Sequence, residues 1–168
     1  MQSNYIILTD KPMVWYMKFI YEDIYHRVST DTAYTLHKQT SEGDSHIMLD
    51  DDKPLFNYYL ALAISDLTSL LARRIDSSVE IKDENGKIIT NEGMKESEQS
   101  IEYYLVMDQN LEKNLLTSLW RYCHEYLSLR ILEMWHKSPQ GADKLKSDII
   151  RVLDFRRRPV RRQVRNFL

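Results

Sequence analysis

Apolar and polar positions along this chain follow two rhythms, and each rhythm predicts a different element. Met13, Met17, Ile20, Ile24 and Val28 recur at helical spacing on one face. Asp10-Lys11-Pro12 precedes them, with the capping acid and first-turn proline of a helix start. A first helix is therefore expected from about Met13, since strand alternation fits that stretch less well. Residues 5–8 read as a short strand or an extended lead-in. Residues 29–49 are rich in Ser, Thr, Asp and Gly and read as irregular, with one helical turn near 31–36.

A second start follows at Asp50-Asp51-Asp52-Lys53-Pro54, where three acids suit the positive end of a helix. Behind it Phe56, Leu60, Ile64, Leu67, Leu71 and Ile75 form one stripe, with Asp66, Ser69 and Arg73 on the other side. This predicts a helix over about 54–76. The period then changes. Val79 to Lys82 alternates, Asn85-Gly86 is a hairpin turn signal, residues 87–90 return, and residues 101–107 form another β-prone run.

Asn110 is placed to cap a last long helix over about 111–137. That helix carries two apolar stripes. One is Leu115, Leu119, Tyr122, Tyr126 and Leu129; the other is Leu116, Trp120, Cys123, Leu127, Ile131 and Met134. So wide an apolar arc requires cover on two sides, by the second helix and by either a further helix or a neighbouring subunit. Ser138-Pro139-Gln140-Gly141 breaks the chain, and a short helix is expected over about 142–155 with Leu145, Ile149, Val152 and Leu153 inward. The expected fold is mainly α. It is a helical bundle body over residues 1–155, with a small antiparallel β insert at about 78–108. An extended basic C-terminal arm follows at 156–168.

Composition agrees with one packed domain plus an arm. Hydrophobic residues make up 43% of the 168, enough for a core, and Gly and Pro number four each, too few for a turn-rich sandwich. Eleven Tyr and three Trp exceed what such a core needs and suggest subunit contacts. Trp120, Tyr122, Tyr126 and Trp135 are the interface candidates. Cys123 is the single cysteine, so no intrachain disulfide forms. No continuous apolar run approaches the roughly 18 residues of a membrane span. The N-terminal residues lack the features of a signal peptide. The expectation is a soluble protein made in the cytosol, with no membrane partner.

Catalytic chemistry finds little footing. Nucleophile-elbow, zinc-protease, phosphate-loop and dinucleotide patterns are missing from the sequence. Glu133 and His136 have the spacing of half a di-iron site, but neither helix stripe supplies the rest, and the much stronger reading is an exposed last turn, where His136 and Lys137 suit the helix C-terminus. Cys123 and His124 are neighbours and diverge on a helix; Cys123 reads as a buried small hydrophobe. Asp83 to Gly86 resembles the start of a calcium loop, but residue 94, where the closing Glu belongs, is Met. The expectation is no enzyme, no cofactor and no metal.

The C-terminus changes the picture most. Residues 151–168 hold seven arginines, Arg151, Arg156, Arg157, Arg158, Arg161, Arg162 and Arg165, against Asp154, a local charge of +6. Removing that +6 from the whole-chain −2 leaves −8 on residues 1–150. Like charges this dense repel one another and call for a partner. Arginine without lysine favours planar, bidentate pairing to carboxylate or phosphate. Val160, Val164, Phe167 and Leu168 are apolar anchors, and burying Phe or Leu is worth about 1.5–3 kcal/mol each. The acidic body opposes a purely DNA-binding role, and the arm lacks the interleaved aromatics that single strands stack upon. Docking to protein is the first reading of Arg156, Arg157, Arg158, Arg161, Arg162, Arg165, Phe167 and Leu168. A helical nucleic-acid-binding or regulatory protein using the arm on phosphates is the alternative.

The layout resembles tailed-phage head–tail connector proteins (adaptors, including the ring proteins of crAss-like phages). The segments that carry the resemblance are DTAYTLHK at 31–38, LALAISDLTSLLARRI at 60–75, LLTSLWRYCHEYLSLRILEMWHK at 115–137 and VLDFRRRPVRRQVRNFL at 152–168. The resemblance implies a structural virion protein, assembled in the host cytoplasm. It implies a homo-oligomeric ring, a dodecamer, beneath the portal, through whose channel genomic DNA passes without specific binding. The arm from Arg156 to Leu168 would then dock on the portal, helix faces would form subunit contacts, and part of the β insert would meet the next tail or ring component.

Overall fold

A computed structural model describes residues 5–6, 13–38, 47–83, 85–108 and 111–155. The elements run β1 (Tyr5–Ile6), β2 (Met13–Ile20), α1 (Tyr21–Lys38), α2 (Lys53–Leu71), β3 (Ile81–Lys82), β4 (Ile88–Ile89), β5 (Met94–Glu96), β6 (Ser100–Met107), α3 (Lys113–His136) and α4 (Ala142–Leu153). Four helices and a small antiparallel sheet make the described part mainly helical, as expected.

The sheet corrects the sequence reading in one important respect. Its order is β1-β2-β6-β5, all antiparallel, so the long strand at 100–107 pairs with the N-terminal segment and is not confined to an insert. Residues 13–20, expected as the start of a helix, form strand β2, in register with β6 from Met13↔Met107 to Ile20↔Ser100. The reason lies in parity. Trp15, Met17 and Phe19 share one face of a strand and are fully buried. Opposite them on β6 stand Leu105, Tyr103 and Ile101, also fully buried. Ile20, which the helical stripe placed inward, is 40% exposed. The outer face carries matched pairs: Tyr16 beside Tyr104 with ring centroids 5.2 Å apart, and Lys18 to Glu102 at 3.0 Å.

The helix begins at Tyr21, where Ile24, Tyr25 and Val28 take over the inward stripe. It runs on to Lys38 through the Ser/Thr-rich stretch that composition marked as irregular. Hydroxyls explain the difference. Thr32 is buried, donates to the Ser29 carbonyl at 2.8 Å and accepts the Met48 amide at 3.1 Å, while Ser29 donates to the Met48 carbonyl at 3.0 Å. These residues fasten the returning chain and seat Met48 in the core.

The other helices follow their stripes. A 3-10 turn at Asp50–Asp52 precedes α2; Asp52 accepts the Leu49 amide at 2.9 Å, and Pro54 sits in the first turn. Phe56, Leu60, Ile64, Leu67 and Leu71 are buried. A second 3-10 turn at Ala72–Arg74 ends the helix, and Ile75 bridges to Leu105 of the sheet. Gly93 occupies the left-handed region at φ 69°, and a Cβ there would lie 2.7 Å from Ile75. The small hairpin β3–β4 turns at Gly86 (φ 78°), with the Asp83 carboxylate accepting the Asn85 and Lys87 amides. The expected cap Asn110 lies outside the described residues; Glu112 occupies the position before α3.

Helix α3 packs against α1, α2 and α4 and touches β2. Its wide apolar arc is therefore covered within the same subunit. Thr68 of α2 bonds the Tyr103 hydroxyl at 2.7 Å, and Trp120 of α3 stacks on Phe19. The helices thus form a layer over the inner face of the sheet.

Candidate functional site

The arm residues Arg156, Arg157, Arg158, Arg161, Arg162, Arg165, Phe167 and Leu168 lie outside the described residues. The point from which the arm departs is described, and it is fixed. Arg73 Nη1 approaches Asp154 Oδ1 at 2.5 Å, and Arg74 donates to the Leu153 carbonyl, tying the end of α4 to the end of α2. Glu133 holds the other end of α4. Its Oε1 accepts the amides of Gln140 and Ala142 at 3.1 Å each, and its Oε2 pairs with Arg130 at 3.0 Å. Burial alone would raise the Glu133 pKa, but these donors outweigh it and hold the carboxyl below its ordinary range. Among the described residues no cluster of three or more His, Cys, Asp and Glu is placed to hold a metal ion. Cys123 is fully buried, and burial pushes its thiol upward.

The aromatic interface candidates are placed mostly inward. Tyr126 is 5% exposed and belongs to the core, which leaves it little surface for a second subunit. Trp120 is partly buried: its indole N–H donates to the Lys18 carbonyl at 3.2 Å, and its ring lies parallel to Phe19 with centroids 6.0 Å apart. Tyr122 and Trp135 are likewise partly buried against the core. Among the apolar residues that do face outward, three lie together on α2. Leu55, Tyr58 and Leu62 are 42%, 61% and 42% exposed. They follow i, i+3, i+7 spacing on the side away from the core stripe. An 18-residue window within Asp50–Arg74 reaches a mean hydropathy of 1.3, long and apolar enough to cross a membrane by composition, with 33% of it buried. That hydropathy is shared between the core stripe and the outward patch.

A cleft opens where the start of α1, the start of α2 and the β5–β6 turn meet. Its volume is about 350 Å³, and Tyr21, Tyr25, Lys53, Phe56, Glu22 and Glu98 contribute to its walls. Phe56 and Tyr25 are buried, 2% and 5% exposed, and make an apolar floor. Tyr25 donates to Asp50 at 3.0 Å and Tyr21 to Glu96 at 3.2 Å. Burial, then the bond to Asp50, pushes the Tyr25 phenol up to about 12, so it stays a neutral donor at physiological pH. Lys53 Nζ stands 4.9 Å from the centroid of the Tyr25 ring and 3.8 Å and 3.7 Å from Glu22 and Asp50. The geometry suits a cation over an aromatic face with carboxylates around it. The sequence reading missed this cleft, because its carboxylates come from three separated segments. The outward α2 patch did leave a signal: Leu55, Tyr58 and Leu62 form a second stripe on the opposite side of the helix from the one read.

No protein-family model, curated protein or solved structure matches this chain.

Proposed function

We propose that this chain is a structural virion protein that forms a homo-oligomeric ring joining a phage portal to the tail, docking through its C-terminal arm. The observation that carries the reading is the charge layout: seven arginines in the last eighteen residues, set on an acidic remainder. The fixed departure point of the arm at the α2–α4 junction supports it, since a docking element works best from a rigid base. A ring of identical subunits presents many arms together, and avidity then holds the joint although each arm binds weakly. In this reading the outward patch Leu55, Tyr58 and Leu62 joins subunits, and acidic surface along the channel lets genomic DNA pass without specific binding. The ring is a dodecamer, assembled in the host cytoplasm and carried in the virion.

Native mass spectrometry of the protein alone and mixed with the portal protein tests the reading. A closed ring that adds to the portal is expected; a strict monomer that never joins the portal contradicts it. Six arginines within residues 156–165 also favour a second reading, an arm that neutralises phosphates on nucleic acid. That reading requires DNA affinity to fall steeply with salt, with the log–log slope shrinking by about one for each phosphate contact removed by Arg161→Ala or Arg162→Ala.

A further inference from the structure

We propose that the cleft between α1, α2 and the β5–β6 turn is the seat for the arm, residues 156–168, of a second copy of this chain. The occupant follows from complementarity. Four carboxylates line or bond the cleft walls, Glu22, Asp50, Glu96 and Glu98, against the single ammonium of Lys53, a local balance of −3. The arm carries six arginines and the apolar residues Val160, Val164, Phe167 and Leu168. A guanidinium pairs bidentately with carboxylate and stacks on aromatic faces better than an ammonium does. Lys53 already holds the position such a group would take over Tyr25. The floor of Phe56 and Tyr25 and the half-exposed Ile20 offer an apolar landing for the arm's tip. A volume of about 350 Å³ admits one or two side chains, which fits an anchor residue with flanking arginines on the rim.

Reach favours the arm of another copy over that of the same chain. The arm leaves near Arg73 and Arg74, at the far end of α2 from Lys53. About twenty helical residues at a rise of ~1.5 Å separate the two ends by about 30 Å. Covering that distance at ~3.3 Å per residue consumes about nine of the arm's residues. Within one chain only Arg165 to Leu168 would remain at the cleft, and the denser arginines would lie away from the carboxylates. From a neighbouring copy the whole arm is available. An arm on one surface and a cleft on another make a head-to-tail contact, the kind that closes a ring. The inference deepens the ring reading in that sense, and requires of it only that a second copy be present. One arm fills one seat, so the portal competes with the neighbour's cleft for it.

Site-specific photo-cross-linking of the full chain tests this. Phe167→p-benzoylphenylalanine is prepared in isotopically light and heavy forms, which are mixed and irradiated, and the linked peptides are mapped. Expected are mixed light–heavy pairs joining residue 167 to residues 20–25 or 53–57. The paired substitution Glu22→Lys and Glu98→Lys should lower their yield at least tenfold. Glu98→Lys alone, on the exposed turn, should lower it in the same direction and serves if the double variant does not fold. Links confined to one chain, links to other surfaces, absence of links, or indifference to the charge reversals each overturn the proposal. Joining to the portal, read by native mass spectrometry, is a separate measurement, so failure of the cleft and failure of the connector reading are distinguishable.

Discussion

Single residues carry three checkable consequences. Lys137 closes α3 in the left-handed region at φ 51°, a conformation glycine adopts without penalty. Lys137→Gly is expected to raise stability by about 0.5–1 kcal/mol in urea unfolding. Glu133, with a side chain 13% exposed, serves two amides at the start of α4, where Gly141 offers no side-chain cap. Glu133→Ala leaves those amides without their acceptor and Arg130 with Asp66 alone, and should cost about 1–3 kcal/mol, read as a lower urea midpoint at unchanged slope. His124 is held below its ordinary pKa, first by burial and then by Arg27, against the pull of Asp23 and Glu125. Its Nε2 and the Asp23 Oδ2 are buried without hydrogen-bond partners among the described residues. The unfolded chain takes this proton near pH ~6.5 and the folded chain resists it, so the unfolded state binds more protons below that pH. Stability from this site is complete above pH ~6.5 and declines as pH falls below it. Thermal unfolding should show a lower midpoint at about pH 5.5 than at about pH 7.5, and His124→Gln should narrow the gap.

Elements show where the sequence was legible and where it was not. The stripes of α2, α3 and α4 predicted most of their buried faces, because each spans several turns and no competing period fits; Ile75 lies past the end of α2, Leu115, Tyr122, Leu129 and Leu145 are half-buried, and the buried Ser128 and Leu132 stand outside the stripes. Met13 to Ile20 was ambiguous at its root. Met13 and Met17 are four apart and so satisfy both a helix and a strand; Trp15 and Phe19, fully buried, decide for the strand, and only pairing with β6 makes that visible. Residues 29–38 failed for another reason. Ser and Thr weaken a helix locally, but here Ser29 and Thr32 bond Met48, a tertiary contact that composition cannot register. The acidic cleft was out of reach for a similar cause, since Glu22, Asp50 and Glu98 meet only after folding. On α2, the exposed Leu55, Tyr58 and Leu62 add nothing to the core. The variant Leu55→Ser, Tyr58→Ser, Leu62→Ser should therefore unfold within about 1 kcal/mol of the parent, while weakening any self-association seen by sedimentation.

At the scale of the whole molecule the chain divides its charge. A folded, net-acidic part fixes the end of α4 through Arg73 and Arg74, and residues 156–168 carry six arginines and an apolar tip beyond that point. Under the proposed reading, attraction between the two parts brings copies together, and burial of the tip gives the contact its strength. Salt should weaken assembly by screening the first component, over a Debye length of about 8 Å at physiological ionic strength, while leaving the apolar component in place. Native mass spectrometry of the full chain beside its Phe167→Ala, Leu168→Ala variant separates these contributions. Multimers of the full chain, and more than about a tenfold loss of association in the variant, are the expected result. A full chain that stays monomeric, or a variant that assembles as well as the parent, would contradict the role given to the arm.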